Sequence, residues 1–207
     1  MIKAIIVGLT GQTGAGKSTV GQMLSNIGFF SIDCDKLSRL VTSKGSPVLS
    51  ELALEFGEDI IKNDGELNRK LLAKRAFATK EETERLNNVT HPAIKKMVDK
   101  KISGAFFDGY DVVVVDAPIL FESGMAKSCD IIVSVIAQED IRLQRIMKRD
   151  NIDEESARLR MCAQHSEEYY KEHSDIIIEN NEDLDLLKEQ LTKLLDLIEV
   201  KQNEEGK

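Results

Sequence analysis

Five short apolar runs mark out the chain: AIIVGL at 4–9, FFSID at 29–33, DVVVVDA at 111–117, DIIVSVI at 130–136 and DIIIEN at 175–180. They are too continuous to alternate with polar residues, so each predicts a strand buried on both faces. Helix-length stretches lie between them. The resulting β-α-β-α order predicts an α/β fold, a doubly wound parallel sheet flanked by helices. In the last stretch Leu184, Leu187, Leu191, Leu194, Leu195 and Ile198 fall at helical spacing, which predicts an amphipathic helix packed on the sheet. The tail KQNEEGK after it is expected to fray.

The spacing of the strands is uneven. Between the second and third, residues 36–109 are charged and helical in pattern, punctuated at SKGSP and NDGELN. This predicts an inserted helical lobe, with a core formed by 1–35 and 110–207.

Composition narrows the partners. The chain has 207 residues and a net charge of −8, which argues against a nucleic-acid partner held by a broad basic surface. The apolar runs fall short of the roughly 18 residues that a membrane span needs. Cys34, Cys129 and Cys162 are odd in number and widely spaced, as expected of reduced thiols in a cytoplasmic protein without a disulfide or zinc frame.

The candidate chemistry begins right after the first strand. Residues 8–21, GLTGQTGAGKSTVG, contain GQTGAGKS, a complete G-x-x-x-x-G-K-[ST] motif with a strand before it and helical sequence after. Such a loop turns successive backbone N–H groups toward phosphate oxygens, helped by the positive end of the following helix. Gly11, Thr13, Gly14, Ala15, Gly16, Lys17, Ser18 and Thr19 are therefore the candidate nucleotide-binding residues. Lys17 would supply a point charge to the β- and γ-phosphates and Ser18 a hydroxyl to Mg²⁺. No guanine-reading Asn-Lys-x-Asp or LSGGQ-like signature accompanies the loop, which argues against a GTPase or an ABC-type ATPase.

Further candidates lie at strand ends, where α/β sheets bind ligands. SIDCD puts Asp33 and Asp35 at the end of the second strand; the spacing of two would aim both carboxylates the same way if the strand continued. One could take a proton from an acceptor hydroxyl, although Asp35 also reads as a helix N-cap. Asp116 ends the third strand, where an acid can act on Mg²⁺ through water, or simply begin a turn before Pro118. Arg142, Arg145 and Arg149 share one helical face and could close over a triphosphate or form a solvated, paired face. His91, taken alone, reads as a turn histidine.

In combination these residues resemble the dephospho-coenzyme A kinase family. The likeness runs from Lys3 to Leu195, through GLTGQTGAGKSTV, SIDCDKLSRLV, Phe56-Gly57, DGELNRKLLAKRAF, HPAI, DAPILFESG, RLQRIMKRD, Ala163-Gln164 and SDIIIEN. It implies a P-loop NTPase-type core, a helical acceptor-binding lobe and a small helical lid over about 140–166. It also implies transfer of the ATP γ-phosphoryl group to the ribose 3′-hydroxyl of dephospho-coenzyme A. Asp33 would be the base, with Lys17 and Arg145 steadying phosphate charge. Asp35, Arg39, Arg69, His91, Pro118, Leu120 and Glu122 would lie on the acceptor side and Asn180 near the adenine. The implied chain is cytoplasmic, a monomer or weak homo-oligomer, with ATP and Mg²⁺ as cofactors.

The chain departs from the family pattern in places. Arg142 stands where Gln is usual, Gln12-Thr13 where Gly-Ile is common, Ala117-Pro118-Ile119-Leu120 replaces a Pro-Leu-Leu context, and HSEEYYKEHSD is more acidic than its counterpart. Two other readings stay open: a shikimate- or nucleoside-kinase-like enzyme, and a regulator that binds ATP without transferring it. The Gly-Gly-x-Gly acceptor loop of shikimate kinases has no counterpart here.

Overall fold

The computed structural model describes residues 3–181 and 183–204. In chain order the elements are β1 (Ile5–Gly11), α1 (Lys17–Asn26), β2 (Phe30–Asp33), α2 (Cys34–Val41), α3 (Pro47–Phe56), α4 (Arg69–Ala76), α5 (Lys80–Phe107) and β3 (Val112–Asp116). They continue with β4 (Ile131–Ile136), α6 (Glu139–Asp150), α7 (Glu154–Cys162), α8 (Glu167–Glu172), β5 (Ile176–Glu179) and α9 (Leu184–Asn203). Each of the five apolar runs forms a strand.

The sheet order is β2-β3-β1-β4-β5. β1 lies parallel to both β3 and β4, and β4 lies parallel to β5. Aspartates just before two strands help set the register. Asp130 accepts the Ile6 N–H at 2.8 Å, and Asp175 accepts the Ile132 N–H at 2.7 Å. The chain leaves β1 toward β2 on one side and returns to β4 on the other. The ends of β1 and β3, paired through Leu9 and Asp116, thus lie at the switch point where such sheets bind ligands.

Two compact units make up the chain: residues 1–32 with 104–207, and residues 33–103. In the first, Ile5, Val7, Leu9, Val114, Val133 and Val135 form the sheet's share of the core, packed with Leu187, Leu191, Leu194 and Ile198 of α9. Leu195, expected on the same apolar face, is 36 % exposed and lies off it. The Leu184 side chain and tail residues 205–207 lie outside the described residues. A small separate cluster of Leu143, Ile146 and Ala157 joins α6 to α7.

The second unit is helical. Ser46 caps α3 ahead of Pro47, and Asn68 caps α4. α5 runs for 28 residues with Pro92 inside it. His91 is therefore a helical residue and not the turn histidine expected from His-Pro. A proline costs a helix one N–H and crowds the preceding turn; here helix continues on both sides of it.

Candidate active site

The glycine-rich loop joins β1 to α1, and its shape depends on glycine at two points. Gly11 has φ 145°, and a Cβ there would lie 2.2 Å from the Val135 carbonyl oxygen. Gly16 has φ 94°, and a Cβ there would lie 2.0 Å from the side-chain amide of Asn180. Gly16 is also the N-cap of α1, with no side-chain cap and no acid in the first turn. Among the described residues, the amides of Gly14, Gly16, Lys17 and Ser18 have no hydrogen-bond acceptor. Open amides at a helix start suit an anion.

Lys17, the first residue of α1, pairs with Asp116 at the end of β3, both side chains about four-fifths buried. The sheet register carries Asp116 to this place, level with Leu9 of β1. Ser18 and Thr19 are exposed beside them. No cluster of three or more His, Cys, Asp or Glu side chains suited to a metal occurs among the described residues. A hydroxyl and one carboxylate match a Mg²⁺ held mainly by phosphates and water better than one held in a protein cage.

The three arginines of α6 separate in role. Arg145 Nη1 donates to the Asn180 carbonyl at 3.0 Å, with longer contacts to the Gly14 and Ala15 carbonyls at 3.4 and 3.5 Å. Arg142 is buried, and its Nε donates to the Thr13 carbonyl at 3.0 Å. Burial pulls its pKa down, while nearby Tyr170, Glu139 and Glu167 oppose that. Arg149 instead makes a two-pronged pair with Asp150, at 2.8 and 2.9 Å. Asn180, just past β5, donates its side-chain N–H to the Ala15 carbonyl at 2.8 Å. The structure thus brings Gly14, Ala15, Arg145 and Asn180 into one hydrogen-bonded group, while Thr13 is held separately by Arg142.

Asp33, Asp35, Arg39, Arg69 and His91 belong to the second unit. The strand stops at Asp33, so the expected alternation of Asp33 and Asp35 does not apply. Asp33 is itself the N-cap of α2, accepting the Lys36 N–H at 2.9 Å and pairing with Lys36 Nζ at 3.2 Å. Asp35, expected as the cap, sits in the first turn and is exposed. Arg69 reaches the other end of α2, donating to the Thr42 hydroxyl at 3.0 Å and the Arg39 carbonyl at 3.4 Å. His91 is part-buried, and burial lowers its pKa below the usual imidazole value.

After β3, the Pro118 carbonyl accepts the Thr10 hydroxyl at 3.3 Å. Leu120 is fully buried and packs on Gly8, so its side chain belongs to the core. Glu122 lies 3.2 Å from His165 Nε2. The acidic stretch after Gln164 turns out to be organised by aromatic rings: His165, Tyr169 and His173 stack in series at 3.8 and 3.9 Å, with Phe121 edge-on to Tyr169 at 5.5 Å. The neighbouring Tyr170 is 1 % exposed, and burial pushes its hydroxyl pKa to about 12.

Sequence reasoning left Gln12 and Gln164 without a role. The Thr13 N–H donates to Gln164 Oε1 at 2.6 Å, across 151 residues of sequence. Gln12 is buried, and its Oε1 has no hydrogen-bond partner. The only local signals were the pair Ala163-Gln164 and the departure at Gln12.

A strand–glycine loop–helix at the switch point of a parallel sheet, with lysine and arginine at the loop, defines the P-loop kinase fold. A solved structure from Thermus thermophilus, TT1252, is similar at TM-score 0.82 and 28 % identity, over 94 % of this chain and 97 % of that one. The dephospho-CoA kinase of Campylobacter jejuni is similar at TM-score 0.69 and 25 % identity, over 95 % and 98 % of the two chains. In sequence, a dephospho-CoA kinase of Corynebacterium efficiens is 38 % identical over 189 residues, 91 % of this chain and 94 % of that one. The family model for dephospho-CoA kinase matches residues 5–185. The chain belongs to the dephospho-CoA kinase family and is a kinase.

Proposed function

We propose that the protein transfers the γ-phosphoryl group of ATP to the ribose 3′-hydroxyl of dephospho-coenzyme A, giving coenzyme A and ADP. The observation that carries the reading is the hydrogen bonding of the loop carbonyls of Gly14 and Ala15 to Arg145 and Asn180, in a chain matched by this family over residues 5–185. Phosphoryl transfer is governed by positioning and charge neutralisation. The open amides of Gly14, Gly16, Lys17 and Ser18 would hold β- and γ-phosphate oxygens. Lys17 would exchange Asp116 for phosphate, releasing that carboxylate toward the metal's water shell. Ser18 would offer its hydroxyl to Mg²⁺, which when bound neutralises charge between the β- and γ-phosphates.

Asp33 would accept the proton of the acceptor hydroxyl. Arg145 would stabilise charge on the group in transfer, and Asn180 would border the adenine. Arg39, Arg69, His91, Pro118 and Glu122 would face the acceptor. His91 would act as a neutral hydrogen-bonding group, since burial disfavours its cation. The same reading takes the chain to work in the cytoplasm, as a monomer or weak homo-oligomer without nucleic acid; the charge of −8 supports the last point. Among the described residues no helix is long and apolar enough to cross a membrane.

ADP release from Mg-ATP, followed with dephospho-coenzyme A, shikimate, a nucleoside or no acceptor, tests the reading. Release is expected with the first alone. Preference for shikimate or a nucleoside would reassign the acceptor. Binding of ATP with no turnover on any acceptor would favour a regulator.

A further inference from the structure

Gln12 and Gln164 line one cavity of about 400 Å³, whose wall also includes Arg142, His165 and Ser166. Among the described residues, Gln12 Oε1 is the one buried side-chain oxygen or nitrogen without a hydrogen-bond partner. Gln12 is only 5 % exposed, so this oxygen calls for a donor within the protein. Across the cavity wall, Gln164 Oε1 accepts the Thr13 N–H at 2.6 Å. That N–H belongs to the glycine-rich loop, whose amides serve phosphate oxygens. An anionic phosphate oxygen is a stronger acceptor than a neutral amide oxygen. Phosphate and Gln164 therefore compete for the same proton.

We propose that Gln164 is a positioning residue with two stations. In the first, seen here, its Oε1 holds the Thr13 N–H. In the second, taken when a phosphate oxygen holds that N–H, the displaced amide turns within the cavity and its Nε2–H donates to Gln12 Oε1. An amide side chain carries both the acceptor and the donor this requires. Arg142, through its bond to the Thr13 carbonyl, keeps the peptide oriented in both stations. Gln164 lies in the short connection between α7 and α8, so the exchange also ties the position of that connection to phosphate on the loop. The inference rests on the reading of residues 11–18 as a nucleotide loop.

The test is ATP affinity by calorimetry on the full chain, for wild type, Gln12→Ala, Gln164→Ala and the double variant. Gln12→Ala is expected to weaken ATP roughly fivefold in the wild-type background, the loss of one neutral hydrogen bond. It should have no effect once Gln164 is alanine. An equal loss in both backgrounds, or none in the wild type, would overturn the proposal. Gln164→Glu still accepts from Thr13 but cannot donate to Gln12, so it should weaken ATP at least as much as Gln12→Ala; wild-type affinity there would also overturn it. This variant leaves Gln12 untouched and decides the matter if a thermal melt shows that Gln12→Ala is unfolded. A wild-type chain that binds no ATP at all would instead overturn the nucleotide-loop reading, and this inference with it.

Discussion

The backbone carbonyl of Asn180 accepts Arg145 Nη1 at 3.0 Å, while its side chain donates to the Ala15 carbonyl at 2.8 Å. Asn180 thereby links the segment after β5 to both the glycine-rich loop and α6. Gly16 lies so close that any Cβ would strike the Asn180 amide. The Arg145 side chain is thus fixed to the glycine-rich loop.

Arg145→Lys is therefore expected to lower kcat at least about tenfold at saturating ATP, because an ammonium cannot keep the planar spread of donors. Arg149→Ala, which loses only an exposed pair with Asp150, should stay within about twofold. Steady-state kinetics on the two variants decide it. A rise in KM at constant kcat for Arg145→Lys would mean uniform binding in place of transition-state stabilisation.

Lys17→Ala should reduce kcat by about a hundredfold or more, with the fold intact. The Lys17–Asp116 pair is about four-fifths buried, so its loss should cost about 1–3 kcal/mol and several degrees in Tm. Turnover and a thermal melt on the same preparation check both halves. Near-normal turnover would contradict the role given to the loop.

Asp33 needs a pair of variants because its observed role as a cap must be separated from its proposed role as a base. As the N-cap of α2 it holds the Lys36 N–H, and asparagine caps about as well. Asp33→Asn should keep its Tm and ATP affinity yet lose at least about a hundredfold in kcat, through lost basicity. Asp33→Ala should lose activity and also about 1 kcal/mol of stability. Equal activity of Asn and wild type would remove Asp33 from proton transfer.

Much of this was legible in the sequence, and the failures have physical reasons. The strands were readable because burial on both faces leaves uninterrupted β-branched runs, as in DVVVVDA and DIIVSVI. The loop was readable because phosphate binding by backbone amides demands glycines at fixed spacing. Asp33 and Asp35 misled because a period of two holds only while the strand lasts, and here a helix starts at Cys34. His91 misled because proline usually marks a boundary, whereas α5 continues through Pro92. The Thr13–Gln164 contact spans 151 residues and leaves no local pattern to detect. Nor could spacing tell which α6 arginines reach the loop and which pairs with Asp150.

Burial holds the His91 pKa below the usual imidazole value. Above about pH 6.5 both folded and unfolded chains keep it neutral, so it adds no pH dependence there. Below that value the unfolded chain takes up the proton more readily, and stability falls as pH drops toward the lowered folded pKa. Tm measured at several pH values between neutrality and about pH 5 should therefore fall more steeply for wild type than for His91→Gln. Parallel slopes would show that His91 contributes nothing to the pH dependence.

The most direct test of the central claim is where the phosphate goes. Wild-type protein should be incubated with Mg-ATP and dephospho-coenzyme A and the product examined by phosphorus and proton magnetic resonance. One new phosphomonoester coupled to the ribose H3′, formed in step with ADP, is the expected result. A phosphate on another hydroxyl of the acceptor, or ADP formed with no phosphorylated acceptor, would contradict it.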